Sequence, residues 1–177
     1  MKFLRKFVTV VDNLNEKVGK GVSWLTAILV LVVCFDVFTR YVLNKSSIAV
    51  PEMEWHLFAV IFLIGAAYTL KHDRHVRVDV LYLKFSAKTK AWINLLGSLI
   101  FLIPLTIVVI ISSKNFVLNS FRVNETSPDP GGLPARYLLK AAIPLAFLLL
   151  LLQGVSLAMK SLFKIIDDQK SAKKNAL

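Results

Sequence analysis

Two histidines three residues apart, His72 and His75, stand beside Asp73 and Asp79 in "KHDRHVRVD", residues 71–79. Imidazoles at that spacing can share a helix face, and imidazole with carboxylate is the raw material of zinc sites and proton relays. Two histidines are too few for a closed zinc site, and neither a second cysteine nor an HExxH pattern accompanies them. The third histidine, His56, is separated from the pair by an apolar run. From His75 to Val80, polar His75, Arg77 and Asp79 alternate with Val76, Val78 and Val80. That alternation suits a segment lying along a boundary between apolar and aqueous phases. The expectation is that His75, Arg77 and Asp79 hold a shape or a partner and do no chemistry.

The remaining polar candidates are few. Asp36 and Arg40, four apart with the acid first, form a favourable helical pair near the end of one apolar run. Glu52 and Glu54 open the next run, so Arg40 could reach either across a short connection and clamp two helices together. Between 124 and 144, "NETSPDPGGLPARYLLKAAIP" places three prolines and two glycines within 128–134, which makes a shaped loop. Gly131–Gly132 has no preceding strand and no following GK[ST], so it is not a phosphate cradle. A GxSxG elbow, a carboxylate cluster within an apolar run and a nucleophile–base pair are all missing, and no enzyme, metal or cofactor is expected.

The elements that must position these residues are membrane spans. The chain has 177 residues, 56% of them hydrophobic, with 12 phenylalanines and a mean hydropathy of +0.64. A soluble core could not absorb its apolar runs without leaving a large exposed patch. Four runs approach the twenty or so residues that cross a bilayer, at about 22–43, 53–70, 91–112 and 138–159. Pro104 is placed to kink the third and Pro144 sits early in the fourth. The expected architecture is all-α and integral to the membrane, a single domain of four transmembrane helices over 1–177. The 22 basic residues divide sixteen to six between alternate sides of these spans, which puts both termini and the 71–90 loop in the cytoplasm. The net charge of +11 clusters beside apolar runs, so it fits anionic lipid headgroups and not nucleic acid.

Before the first span, Phe3, Phe7, Val10, Val11, Leu14 and Val18 fall on one helical face, with Lys2, Lys6, Asp12, Asn13, Glu16 and Lys17 opposite. Residues 1–20 should therefore form an amphipathic helix in the cytoplasmic interface, with Gly19 and Gly21 able to bend it into the span. The apolar stretch of "MKFLRKFVTVV" is too short for a secretory signal, so the segment is expected to be retained. Trp24, Trp55 and Trp92 lie at three span ends, as interfacial anchors should. Ser86 is positioned to cap the third helix, the tail 165–177 is polar, and the lone Cys34 has no internal partner.

"FTRYVLN", "EWHLFAVIFLIGAAYTLKHDRHVRVDVLY" and "ETSPDPGGLPARYLLKAAIPLAFLLLLLQG" together resemble the DctQ-type small membrane subunit of tripartite ATP-independent periplasmic (TRAP) transporters. The likeness covers Trp24 to Gly154, with "HVRVD" and "GGLP" its most specific elements, and leans toward a branch labelled for mannitol, chloroaromatic or 2-oxo acid uptake. It implies a bacterial inner-membrane protein that is a non-catalytic scaffold. Its partners would be a large multi-span DctM-type subunit, which carries the substrate and sodium sites, and a periplasmic binding protein that delivers an organic acid. By position, Arg40, Asn44 and Glu52 would form the family's outer signature, and His75, Arg77 and Asp79 its cytoplasmic one. Glu125, Ser127, Asp129, Pro130, Gly131, Gly132 and Pro134 would face the periplasm, where the binding protein docks. Two readings from other classes stay open here: a small four-helix membrane enzyme using His72 and His75, and a stand-alone channel that oligomerises around a pore.

Overall fold

The computed structural model describes residues 2–72 and 85–174, with side chains described to Asp168. All regular structure among them is helical: α1 (Lys2–Tyr41), α2 (Ala49–Lys71), α3 (Ala87–Arg122) and α4 (Arg136–Lys174). Each is long and apolar enough to cross a membrane. His75, Arg77 and Asp79 lie outside the described residues.

The helix ends follow from local chemistry. Ser86 caps α3, its hydroxyl accepting the Thr89 N–H at 3.1 Å. Asn44 adopts a left-handed φ of 51° beyond α1, and Lys45 N–H returns to the Thr39 carbonyl at 3.0 Å, closing the helix end. Asn124 does the same work after α3, with φ 46° and the Glu125 N–H bonded to the Ser120 carbonyl at 3.0 Å. Asparagine tolerates this conformation better than most side chains, which explains its presence at both ends.

Within α3 the turn Ser98–Leu102 is π-helical, directly before Pro104. A proline ring collides with the carbonyl four residues back and brings no N–H. The wider turn, in which Ile103 N–H bonds to the Ser98 carbonyl, relieves that conflict without ending the helix. Pro144 is likewise carried inside α4.

The segment expected to lie in the interface and the first span belong to one continuous helix. α1 runs unbroken for 40 residues through Gly19 and Gly21, a length of about 60 Å, roughly twice the hydrocarbon thickness. Its buried stripe is Val8, Val11, Asn15 and Gly19, rotated away from the face expected to be the apolar one. Phe3, Val10 and Leu14 remain outside, while the acids Asp12 and Glu16 turn in to polar partners. Counting apolar residues around the wheel missed this, because the partners sit on helices more than fifty residues away.

Every other helix packs on α4, and α1 also packs on α2. The seams are made of small residues: Ala67 on α2, Ala91, Ser98, Thr106, Ser113 and Ser120 on α3, and Ala142, Ala146, Ser156, Ala158 and Ser161 on α4. In lipid no hydrophobic drive holds helices together, so close backbone approach and dispersion must do so, and small side chains permit it. The hydroxyls of Thr106 and Ser113 bond back to carbonyls three residues earlier, which keeps them satisfied in the seam.

Gly19 marks the closest approach of α1 to α2. A Cβ there would stand 2.3 Å from Tyr68 Cδ2 and 2.6 Å from its Cβ, whereas one at Gly21 meets nothing within 4 Å. The same substitution should therefore have opposite effects two residues apart. Gly21→Ala should stabilise by about 0.5–1 kcal/mol through helix propensity. Gly19→Ala should destabilise by about 1–3 kcal/mol through overpacking. Unfolding of the detergent-solubilised protein measures both; equal effects would mean that α1 and α2 are not in this register.

Candidate functional site: polar clamps at the two ends of the bundle

One end of the bundle carries the 123–135 connection, and its centre is Glu52. This carboxylate lies in the first turn of α2 and is only 5% exposed. Ser127 Oγ donates to its Oε1, the Leu133 N–H donates to Oε2 at 2.6 Å, and Arg136 Nη2 stands 3.8 Å away. A buried charge needs such a set of donors, and backbone and hydroxyl groups supply them here without a second full charge at contact distance. His56 Nδ1 lies 2.5 Å from the carbonyl of Glu52 itself.

The loop is shaped to reach this carboxylate. Ser127 N–H bonds to the Leu133 carbonyl at 3.0 Å, Gly132 N–H to the Asp129 carbonyl at 3.0 Å, and Asp129 N–H to Ser127 Oγ at 3.2 Å. Gly132 has no alternative: a Cβ there would fall 2.4 Å from Ser127 and 2.8 Å from Glu52 Oε2. Gly131 takes a φ of 85° and Ala135 one of 59°, a conformation that is strained for alanine. Asp129, Pro130, Gly131 and Pro134 remain exposed on the outside of the turn. Glu125 pairs with Lys140 and accepts the Arg136 N–H at 2.9 Å through its carbonyl, fastening the loop to α4.

Arg40 does not clamp two helices. It pairs with Asp36 of its own helix and comes within ion-pair distance of neither Glu52 nor Glu54. A partner four residues away on one rigid helix needs little further ordering, and Glu52 is already occupied by the loop. Asp36 is 6% exposed, so this pair keeps the one acid deep in α1 neutralised. Sequence reasoning did not find Arg136 and Lys140. Arg136 lies over the Trp55 ring, 5.6 Å from its centre, and Lys140 over Phe116 at 4.1 Å. The signal available was their place in the first turns of α4, directly after a proline-rich loop. Trp24 and Trp92 stand exposed on α1 and α3.

At the opposite end α1 is tied to α4 and α2. Asn15 Nδ2 donates to Gln153 Oε1 at 2.7 Å, and Gln153 Nε2 and Ser156 Oγ each donate to Asp12 Oδ1 at 3.1 Å. Lys160 closes the group on Asp12 at 2.5 Å. Glu16 receives Lys71 at 2.7 Å, His72 at 2.8 Å and Lys20 at 3.1 Å. His72 is thus engaged in joining α1 to α2, against the Tyr68 ring. Among the described residues no three His, Cys, Asp or Glu side chains gather as metal ligands.

Two outcomes test the loop clamp. Glu52→Ala removes the acceptor of both loop donors, so the Leu133 amide should exchange with solvent roughly tenfold faster or more, with helix content unchanged. Exchange at the wild-type rate would show that the loop stands without Glu52. The Lys140 ammonium holds the Glu125 carboxyl below its ordinary value of 4.5. A lowered folded-state value stabilises above 4.5 and is lost as the pH falls through that lowered value. The Glu125 tie should therefore hold at pH 5 and release only below 4.5, and Lys140→Gln should move release upward, as read by the exchange of the Arg136 amide.

Comparison with known proteins agrees with this architecture. Residues 29–164 match the family model for the DctQ component of tripartite ATP-independent periplasmic transporters. Over 121 residues the chain is 25% identical to the sialic acid TRAP transporter small permease protein SiaQ of Vibrio cholerae, covering 68% of this chain and 66% of the relative. Small permease components of this kind are parts of transporters and not enzymes. The four apolar helices and this kinship make the protein a multi-pass component of a bacterial inner membrane. With the family model spanning most of the chain, the protein belongs to the DctQ-component family of TRAP transporters.

Proposed function

We propose that this protein is the scaffold subunit of a binding-protein-dependent uptake system, bracing a large DctM-type membrane subunit that carries solute inward. The observation that supports this reading most directly is the direction in which the helices face. In the most apolar stretch of α1 only 6% of residues are buried within the chain, against 44% in α4. Phe35, Phe38, Leu31 and Trp24 all point away from the bundle. Helices locked together at both ends, with large apolar side chains turned outward, suit a brace whose sides are covered by lipid and by another protein.

In this reading the termini and the Glu16–Lys71 clamp are cytoplasmic, following the sixteen-to-six division of basic residues, and the Glu52 clamp is periplasmic. The exposed turn around Asp129, Pro130 and Gly131 then lies where an incoming binding protein docks. Solute and sodium are handled by the large subunit. The cargo is an organic acid, in keeping with the resemblance and with the sialic acid transporter to which the relative belongs. Ionisable residues within a span mark a transport pathway; in α1 the one acid of the apolar run, Asp36 near its outer end, is spent on Arg40.

Affinity purification of this chain, co-expressed with the products of the adjacent reading frames, should recover a stoichiometric complex with a large multi-span protein. Replacing 128–134 with Gly/Ser should leave that complex intact while weakening capture of the exported binding protein. Recovery of this chain only as a homo-oligomer would instead support a stand-alone channel.

A further inference from the structure

Between α2, α3 and α4, next to the Glu52 clamp, lies a slot of about 300 Å³. Trp55, Ala59 and Leu63, four residues apart along α2, form one wall, and Leu139 and Ile143 of α4 form the other. Phe116 of α3 closes the back. From Trp55 to Leu63 the slot runs about 12 Å along the helix axis at 1.5 Å per residue. Its walls are hydrocarbon, and its only charges, Arg136 and Lys140, are gathered at the loop end.

We propose that this slot holds one anionic phospholipid of the adjacent leaflet, with an acyl chain between α2 and α4 and the phosphate at Arg136. The polarity of the slot is that of a lipid: a positive, Trp-bearing mouth at the end of the span and an apolar channel toward the bilayer centre. Arg136 is short of acceptors. Its nearest carboxylate oxygen, on Glu52, is 3.8 Å away, beyond hydrogen-bond length, and both Glu52 oxygens already accept from the loop. Its Nε–H is buried with no partner. A buried guanidinium N–H without an acceptor is costly, so the charge is poorly compensated within the chain. The side chain keeps a quarter of its surface exposed, and a phosphate oxygen at the mouth would pair with that charge in the geometry arginine favours. Lys140, held over Phe116 and tied to Glu125, adds positive potential without competing for the same phosphate position. A partner's apolar side chain could fill the channel but would leave the Arg136 charge poorly compensated, so a lipid answers both features. The site also joins lipid to loop, because Arg136 belongs to the Glu52 clamp as well.

Native mass spectrometry of the detergent-purified chain, titrated with phosphatidylglycerol and separately with phosphatidylcholine, tests the assignment. One phosphatidylglycerol per chain should survive activation, with phosphatidylcholine retained at least roughly tenfold less. Ala59→Phe, which fills the channel without touching either cation, should abolish retention at unchanged helix content. Ile143→Trp does the same from the opposite wall should the first variant fold poorly. Arg136→Gln should lose the preference for phosphatidylglycerol, and Arg136→Lys should restore part of it. Equal retention of the two lipids, or retention undiminished in both channel-filling variants, would overturn the proposal. So would a photoreactive benzoylphenylalanine replacing Leu139 that labels protein and no lipid in the complex purified with its partner subunit.

Discussion

Lipid tails are as apolar as leucine, and this one fact governs how the chain is built. Burying a large apolar side chain between helices brings no hydrophobic gain when the alternative is lipid. Most phenylalanines along α1 and α3 therefore face outward, and the inner seams are rich in alanine, glycine, serine and threonine, with a few larger residues such as Leu70, Leu95, Leu149 and Leu150 among them. Gly19 against Tyr68 and Gly154 against Leu102 are the tightest of these approaches. α4 lies at the centre, packed on every other helix, and carries buried small residues along its length, at Ala142, Ala146, Gly154, Ser156, Ala158 and Ser161.

Small seams give proximity but little specificity of register, and the two polar clusters supply it. At one end Asp12, Asn15 and Glu16 can meet Gln153, Lys160 and Lys71 in only one alignment of α1 with its neighbours. At the other, Glu52 meets the donors of a loop about eighty residues along the chain. The Glu52 cluster lies at the head of α2 and the start of α4, where polar groups cost less than at the bilayer centre, whereas Asp12, Asn15 and Gln153 lie well inside α1 and α4. The result is a set of long helices fixed at two levels, with the Asp36–Arg40 pair in α1 closed on itself.

Much of the fold was legible from periodicity and length, since each span must be a run of apolar residues long enough to cross hydrocarbon. The Ser86 cap followed from its position before a helical run. The 124–135 segment was legible as a shaped loop from its prolines and glycines, and Glu52 as a polar residue at the head of a span. The partnership between them was not. Nothing in the spacing of Ser127 and Leu133 announces that both donate to a carboxylate on another helix. The same limit explains α1, where residues chosen for water by their chemistry, Asp12 and Glu16, turned inward to partners on α4 and α2.

The sequence by itself determined the number of spans, the division of basic charge between their ends and the absence of a catalytic motif. Each of these depends on residue type and local order alone, because the bilayer reads one helix at a time. Tertiary structure decided which face of each helix is inner, that Asp12 and Glu16 of α1 turn toward α4 and α2, that Arg40 serves Asp36, and that Arg136 stands at the mouth of an apolar slot. Those outcomes depend on which helices approach each other, and in lipid that is settled by shape and by hydrogen-bond partners far apart in the chain.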